Sequence, residues 1–171
     1  MTDAAPIVVT LQFDAAATEM FERRRRRYFP PEINRIPAHL TLFHALPGEE
    51  EAAVLEAVGR AAGRPPFAVK VEGLMPLGRG IAFRLSSPAL MTLRADLARS
   101  FEHWLTRQDR ESFRPHVTIQ NKVSAEVARA TQAELERTFT PFEAIAEGIQ
   151  LWHYRGGPWS PLAAVAFGGG R

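Results

Sequence analysis

The chain carries one short pattern twice, at residues 39–42 (HLTL) and at residues 116–119 (HVTI). In each copy a histidine and a threonine stand two residues apart, with apolar residues between and after them. Successive side chains of a β-strand alternate between its two faces, so residues two apart point the same way. Each copy therefore predicts a strand that presents an imidazole and a hydroxyl on one face and buries two apolar side chains on the other.

The residue types in this pattern are suited to acid–base chemistry on a phosphate. Two imidazoles supply a general base and a general acid that work near neutral pH. Two hydroxyls supply hydrogen-bond donors for phosphate oxygens, where charge is stabilised in a transition state. We interpret the repeat as an active site built from two halves, with His39, Thr41, His116 and Thr118 as its catalytic residues.

The sequence around the two motifs predicts an alternation of strands and helices. Strands are predicted over residues 7–13, 38–46, 67–71, 81–85, 116–120, 142–145, 149–154 and 162–167. Helices are predicted from a cap at Asp14 to residue 28, over 49–62, over 88–106, and after a cap at Ser124. Each motif strand thus has a helix before and after it. This order predicts an α+β fold, duplicated into two lobes, with two antiparallel sheets flanking a central cleft and helices on the outside.

Length and composition define the class of protein. A chain of 171 residues with 46% hydrophobic residues is expected to form one domain, residues 1–171, made of two pseudo-symmetric lobes. The absence of cysteine excludes disulfides, thiolate metal sites and a cysteine nucleophile. No apolar run approaches the ~20 residues of a membrane span, and no basic segment precedes an apolar one at the N-terminus. We expect a cytoplasmic protein with no membrane contact, and a monomer, because both motifs lie in one chain.

The paired motifs, together with Arg114-Pro115 before the second copy, resemble the 2H phosphoesterase superfamily. Within it, the chain is similar to the bacterial 2′-5′ RNA ligase-like branch, which includes RNA 2′,3′-cyclic phosphodiesterases. The resemblance implies hydrolysis of a 2′,3′-cyclic phosphate at an RNA 3′ end or on a nucleotide, with no metal and no cofactor. One histidine would take a proton from water and the other would protonate the departing ribose oxygen. By microscopic reversibility, the same groups could join ends as a 2′-5′ RNA ligase.

The residues leave other functions open. One alternative is a phosphodiesterase for a small nucleotide, such as a 2′-5′ oligoadenylate or a cyclic phosphate of ADP-ribose. Another is a non-catalytic RNA-binding module that keeps the cleft. A metalloenzyme has less support, because a His-x-Thr pattern lacks a convincing ligand set. The residues assign neither the base nor the acid to a particular histidine, and therefore leave the isomer of the product open.

Arginine supplies almost all of the positive charge, since Lys70 and Lys122 are the only lysines. Guanidinium groups bind phosphates in a bidentate manner, although a bias in genomic composition would give the same count. Residues 23–27 are five arginines in a row on a predicted helix. Because successive helical residues point ~100° apart, most of these side chains are expected to face solvent and to raise the local positive potential.

Five further residues are candidates for substrate binding, each with an ordinary structural role as the alternative. Arg114 precedes the second motif directly, and Tyr28 offers a ring for stacking on a base. His153 stands on a late strand from which it could line the cleft. Two more candidates depend on strand parity. Phe43 shares the parity of His39 and Thr41, and Lys122 shares that of His116 if the second motif strand extends to residue 123.

One further histidine has the opposite parity. His44 alternates with Leu40 and Leu42, so we expect it to face away from His39, packed or at the end of the strand.

Overall fold

The two motif strands lie at opposite edges of one antiparallel sheet in the computed structural model, which describes residues 4–168. The strands are β1 (Ile7–Phe13), β2 (Leu40–Leu46), β3 (Phe67–Pro76), β4 (Ile81–Ser86), β5 (His116–Gln120), β6 (Phe142–His153) and β7 (Ser160–Ala166). The helices are α1 (Ala15–Tyr28), α2 (Glu51–Ala61), α3 (Pro88–Ser100), α4 (Arg107–Arg110) and α5 (Ala125–Thr138), with short 3-10 turns at Pro31–Ile33 and Gly48–Glu50.

The strands hydrogen-bond in the order β2-β1-β6-β3-β4-β5, and β7 also pairs with β6. This order has an internal symmetry: β1 corresponds to β4, β2 to β5 and β3 to β6, and exchanging the members of each pair gives the same order read from the opposite edge. Apart from the short helix α4, each half of the chain up to β6 runs strand, helix, strand, helix, strand, and gives its third strand to the other half of the sheet. The predicted α+β class with a duplicated, antiparallel architecture is confirmed.

The two predicted sheets are the halves of one continuous sheet, because the long strand β6 belongs to both. Its first residues pair with β3, and its later residues pair with β1 and β7. The sequence predicts two strands here, at 142–145 and 149–154, with a break near Gly148. The strand continues instead, and a Cβ at Gly148 would lie 2.6 Å from the carbonyl oxygen of Val165. This glycine allows β7 to approach closely rather than ending the strand.

Short-range signals place the helix starts. The side chains of Asp14, Ser87 and Ser124 accept hydrogen bonds from the first turns of α1, α3 and α5. The helix predicted over 88–106 is wrong at its end: α3 stops at Ser100, and the separate turn α4 follows. No helix within residues 4–168 has the length and apolar character needed to cross a membrane.

The sheet curls so that its two edge strands come together. Cα atoms of β2 and β5 lie within 8 Å of each other, although these strands are at opposite ends of the hydrogen-bonded order. Two buried arginines cross between the halves at this place. Arg25 of α1 donates from Nη1 to the carbonyl oxygen of Thr118 in β5, at 2.9 Å. Arg94 of α3 donates from Nε to the carbonyl oxygen of Leu42 in β2, at 2.7 Å. Each half therefore holds the motif strand of the other.

Further contacts stabilise the buried guanidinium groups of Arg25 and Arg94. Arg25 also donates to the side chain of Asn34 at 2.7 Å and lies 3.9 Å from the ring centroid of Phe29. Arg94 donates to the carbonyl oxygen of Asp109 at 2.8 Å and lies 4.1 Å from the ring centroid of Phe43. Burial lowers the pKa of both arginines, which reflects the cost of removing the charge from water. Hydrogen bonds and aromatic faces offset that cost.

Replacing Arg25 with methionine should lower the free energy of unfolding by about 2 kcal/mol, because it leaves buried acceptors without their charged donor. Urea denaturation followed by circular dichroism measures the change. The matched control is Arg26→Met, since the Arg26 side chain is 58% exposed in a surface ion pair with Glu19. That control should change stability by less than about 0.5 kcal/mol. Equal stability of the two variants would contradict a bridging role for Arg25.

Candidate active site

Both motif histidines are held by the same local contact. Nδ1 of His39 lies 2.8 Å from the carbonyl oxygen of Pro37, and Nδ1 of His116 lies 2.8 Å from the carbonyl oxygen of Arg114. A carbonyl oxygen can only accept, so Nδ1 carries a proton in each ring. Nε2 is then the nitrogen that remains for proton transfer. In both cases the anchoring carbonyl is two residues upstream of the histidine, so a local contact just before each motif sets the orientation of the ring.

The surroundings of the two rings differ. The ring of His39 packs against Trp159, with ring centroids 4.6 Å apart, and it lines a cavity of about 330 Å³. Burial lowers the pKa of His39 to about 4, and the charge of Arg25 and the neighbouring His116 and His44 act in the same direction. The hydrogen bond to Pro37 opposes this shift and is outweighed. His39 is therefore an unprotonated imidazole near neutral pH, the form in which Nε2 accepts a proton.

Two amides and an indole form part of the lining of the cavity beside His39. The side chains of Gln12, Gln150 and Trp152 share this cavity with the His39 ring. Trp152 donates from its indole nitrogen to the hydroxyl of Thr10 at 3.0 Å, which fixes the plane of its ring. Trp152 and Trp159 lie 6.1 Å apart between centroids. This side of the site thus offers flat aromatic surfaces and hydrogen-bonding amides.

The second histidine lines a separate cavity of about 250 Å³ between the two motif strands. Thr41 of β2, His116 of β5 and Arg114 all line this cavity. Thr118 is half-buried two residues beyond His116, and its carbonyl oxygen receives the hydrogen bond from Arg25. The curl of the sheet thus brings together the strands that carry the four predicted catalytic residues.

The prediction that Phe43 faces the site is wrong. Thr41 pairs with Thr10 across β1, but Phe43 pairs with Val9, so β2 carries a bulge between these pairs. Leu42 and Phe43 are consecutive, and both are buried, at 1% and 0% exposure. Phe43 packs edge-on against Phe101, with ring centroids 5.2 Å apart. It belongs to the core and does not reach the cleft.

The same bulge corrects the prediction for His44. One extra residue in the strand reverses the parity of the residues next to it, and His44 lines the same cavity as Thr41. Its side chain is 42% exposed and lines the same cavity as Thr41 and His116. Nδ1 of His44 lies 2.7 Å from a carboxylate oxygen of the buried Asp109. A third imidazole therefore stands in the cleft.

Two other candidates line neither the cavity beside His39 nor the one beside His116. His153 is 4% exposed and is hydrogen-bonded to Glu51 at 3.0 Å and to the carbonyl oxygen of Ala5 at 3.1 Å, which makes it part of the packing between β6 and α2. β5 ends at Gln120, so the parity predicted for Lys122 does not apply. Lys122 is exposed in a turn, with φ of 61°.

For Arg114 and Tyr28, the structure is compatible with the predicted role in substrate binding. Arg114 is exposed and lines both the cavity of about 250 Å³ and an adjoining apolar cavity of about 440 Å³. Tyr28 is half-buried at the end of α1, beside the guanidinium of Arg27. Members of the arginine run are engaged in structure: Arg25 is buried, and Arg26 and Arg27 pair with Glu19 and Glu134. A binding role for Arg114 or Tyr28 stays a prediction.

Sequence reasoning missed two residues of the site, His44 and Trp159. His44 depends on a bulge that has no signature in the sequence, and Trp159 precedes β7 with no motif around it. Within the part of the chain that the structure describes, no group of three or more His, Asp or Glu side chains is placed to hold a metal ion.

Solved structures with this fold extend over nearly the whole chain. TT0787 of Thermus thermophilus has 18% sequence identity and a TM-score of 0.68, covering 97% of this chain and 100% of its own. LigT of E. coli, solved in complex with 3′-AMP, has 20% identity and a TM-score of 0.65, covering 96% of this chain and 99% of its own. A structure described as a phosphoesterase has 20% identity and a TM-score of 0.66, covering 96% and 99%.

No curated protein matches the chain in sequence. The family model of the 2′-5′ RNA ligase superfamily matches residues 13–158, a range that contains both motifs. Because this match covers most of the chain, it establishes the relationship: the chain belongs to the 2′-5′ RNA ligase superfamily of 2H phosphoesterases.

Proposed function

We propose that the chain is a phosphodiesterase that opens 2′,3′-cyclic phosphates at RNA 3′ ends or on nucleotides by acid–base catalysis from two histidines. Membership of the superfamily supports a phosphodiesterase or ligase-like activity. The observation that carries the finer proposal is the matched anchoring of His39 and His116 through Nδ1, which leaves one Nε2 just before β2 and one at the first residue of β5. A cyclic phosphodiester needs this pair, one group to remove a proton and one to supply it.

We assign the base to His39 and the acid to His116. His39 is unprotonated near neutral pH, because burial and neighbouring positive charges lower its pKa to about 4. Its Nε2 takes a proton from water as the water oxygen bonds to phosphorus. The bond from phosphorus to one ribose oxygen breaks, and Nε2 of a protonated His116 gives that oxygen a proton. Thr41 and Thr118 donate hydrogen bonds to the non-bridging oxygens. The product is a phosphomonoester, and transfer of one proton back to His116 restores the site.

The substrate class can be tested directly. Hydrolysis of a cyclic mononucleotide, an RNA with a cyclic 3′ end and a 2′-5′ oligoadenylate, measured side by side with EDTA, distinguishes the RNA-end enzyme from one for small nucleotides. LigT has been crystallised with 3′-AMP, the kind of phosphomonoester that opening of a cyclic phosphate gives. A non-catalytic RNA-binding module would bind RNA, turn over none of these substrates, and keep binding after both histidines are replaced.

Replacement of either motif histidine should abolish most of the activity. We expect His39→Ala and His116→Ala each to lower kcat by ~10²–10⁴-fold, the usual contribution of one general acid or base. The double variant should fall little further, since the two groups act in one step. Initial rates on a cyclic mononucleotide measure the effect. His103→Ala is the matched control, because the His103 side chain is 87% exposed. A variant with wild-type kcat at either motif histidine would refute the two-histidine mechanism.

The pH dependence tests the assignment of the base. The value of kcat/KM reports groups of the free enzyme, and the base must be unprotonated. With the pKa of His39 at about 4, we expect kcat/KM to hold as pH falls from 7 to about 5 and to decline about tenfold per unit below about pH 4. An acid limb near 6.5, the ordinary value for histidine, would contradict the assignment.

A variant of Arg25 tests whether the fall of kcat/KM at low pH, the acid limb, reports the titration of His39. Arg25 is among the charges that lower the pKa of His39, so Arg25→Met should shift the acid limb of kcat/KM to higher pH. Arg26→Met, which removes an exposed charge of the same helix, should leave the limb in place. Equal limbs in both variants would show that the group titrating is not His39.

A further inference from the structure

The third imidazole of the cleft is built into the fold. His44 reaches the face of Thr41 only because β2 bulges between the pairs Thr10–Thr41 and Val9–Phe43. The bulge is held from outside the strand. Arg94 donates to the carbonyl oxygen of Leu42 at 2.7 Å, and Asp109 accepts from the backbone N–H of His44 at 2.9 and 3.0 Å. Bulges that re-aim a side chain are frequent beside active sites.

Asp109 also fixes the imidazole ring. The residue is 2% exposed, and its short helix is capped by Thr106, whose hydroxyl accepts from the Asp109 N–H at 3.2 Å. One carboxylate oxygen lies 2.7 Å from Nδ1 of His44. A carboxylate accepts, so Nδ1–H is the donor and Nε2 is left on the other side of the ring. Burying a carboxylate costs free energy, and here the buried carboxylate orients an imidazole that is half exposed to the cleft. This arrangement suggests a functional role for the imidazole in addition to a structural one.

The position of His44 relates it to the chemistry. It lines the cavity of about 250 Å³ together with Thr41 and His116. The charged groups around this cavity are Arg94, Asp109, Glu111, Arg114 and the two histidines. Arg94 donates to the carbonyl oxygens of Leu42 and Asp109, and the Asp109 carboxylate accepts from His44. The His44 ring, in contrast, is hydrogen-bonded only through Nδ1 among the described residues. The Nε2 edge is therefore suited to an anionic ligand between the two motif strands.

We propose that His44 is a substrate-binding residue whose Nε2–H donates a hydrogen bond to an anionic oxygen of the substrate phosphate, with Asp109 as its positioning residue. In the complex the ring is an imidazolium between two anionic groups, the Asp109 carboxylate on Nδ1 and the phosphate on Nε2. This charge-assisted pair adds a phosphate contact beyond the two histidines and two threonines of the motifs. The inference deepens the proposed function and rests on it for the identity of the substrate, but phosphate binding can be measured without turnover.

Two substitutions of His44 distinguish phosphate binding through Nε2 from the hydrogen bond between Nδ1 and Asp109. In His44→Asn the amide nitrogen replaces Nδ1, which keeps a donor for Asp109 and leaves nothing at the position of Nε2. In His44→Gln the longer amide reaches roughly the position of Nε2 and gives up the contact with Asp109. We expect affinity for inorganic phosphate, measured by calorimetry, to decrease in the order wild type, His44→Gln, His44→Asn. The loss in His44→Asn should be about tenfold or more.

The thermal midpoint should follow the opposite order for the two variants, with His44→Asn the more stable. His103→Asn, a substitution of the same kind at an exposed site, should match the wild type in both measurements. Wild-type phosphate affinity in His44→Asn would overturn the proposal and leave His44 as a partner of Asp109 only. Absence of measurable phosphate binding by the wild type would overturn it as well.

Turnover is a separate readout. With a cyclic phosphate that the wild type hydrolyses, His44→Asn should raise KM more than it lowers kcat, unlike the motif histidines. If phosphate binding depends on His44 but no cyclic phosphate is hydrolysed, this inference stands and the proposed function fails. If hydrolysis occurs and the His44 variants bind phosphate with wild-type affinity, the proposed function stands and this inference fails.

Discussion

The site depends on the two buried arginines that tie the edges of the sheet together. β2 and β5 share no ladder of hydrogen bonds, yet the motifs they carry must face each other. Arg25 reaches from α1 to the carbonyl oxygen of Thr118, and Arg94 reaches from α3 to that of Leu42. Each contact joins a helix of one half to the motif strand of the other, so the two halves position each other. A long, planar donor that stays charged away from water suits this task, and lysine would not reproduce it.

Arg25 links architecture with electrostatics. The charge that holds β5 also acts on His39 and contributes, after burial, to the lowering of its pKa. The two motifs have the same local design, with the same Nδ1 anchor, but the packing around them differs. Trp159 stands against His39, whereas His116 lines the polar cavity beside Arg114. Two equivalent imidazoles can therefore take different parts in one reaction because their surroundings, not their motifs, are different.

The bulge in β2 has a comparable double effect. It sends Phe43 into the core, where it packs against Phe101 and beneath the guanidinium of Arg94. It turns His44 outward to Asp109 and the cleft. A single inserted residue thus places one more aromatic side chain in the core and one more imidazole in the site. The groups that hold the bulge, Arg94 and Asp109, lie 52 and 65 residues away in sequence from their partners Leu42 and His44.

The sequence by itself determined what depends on neighbours along the chain. Strand periodicity put His39 with Thr41 and His116 with Thr118, and caps such as Asp14 and Ser124 marked the helix starts. The tertiary structure decided what depends on distant groups. It joined the two halves through β6, buried Phe43 and His153, and brought His44 into the cleft. The physical reason is the range of the forces. Alternation and capping are set by backbone geometry over a few residues, whereas a bulge, a curled sheet and the pKa of His39 are set by side chains that only the complete fold brings into contact.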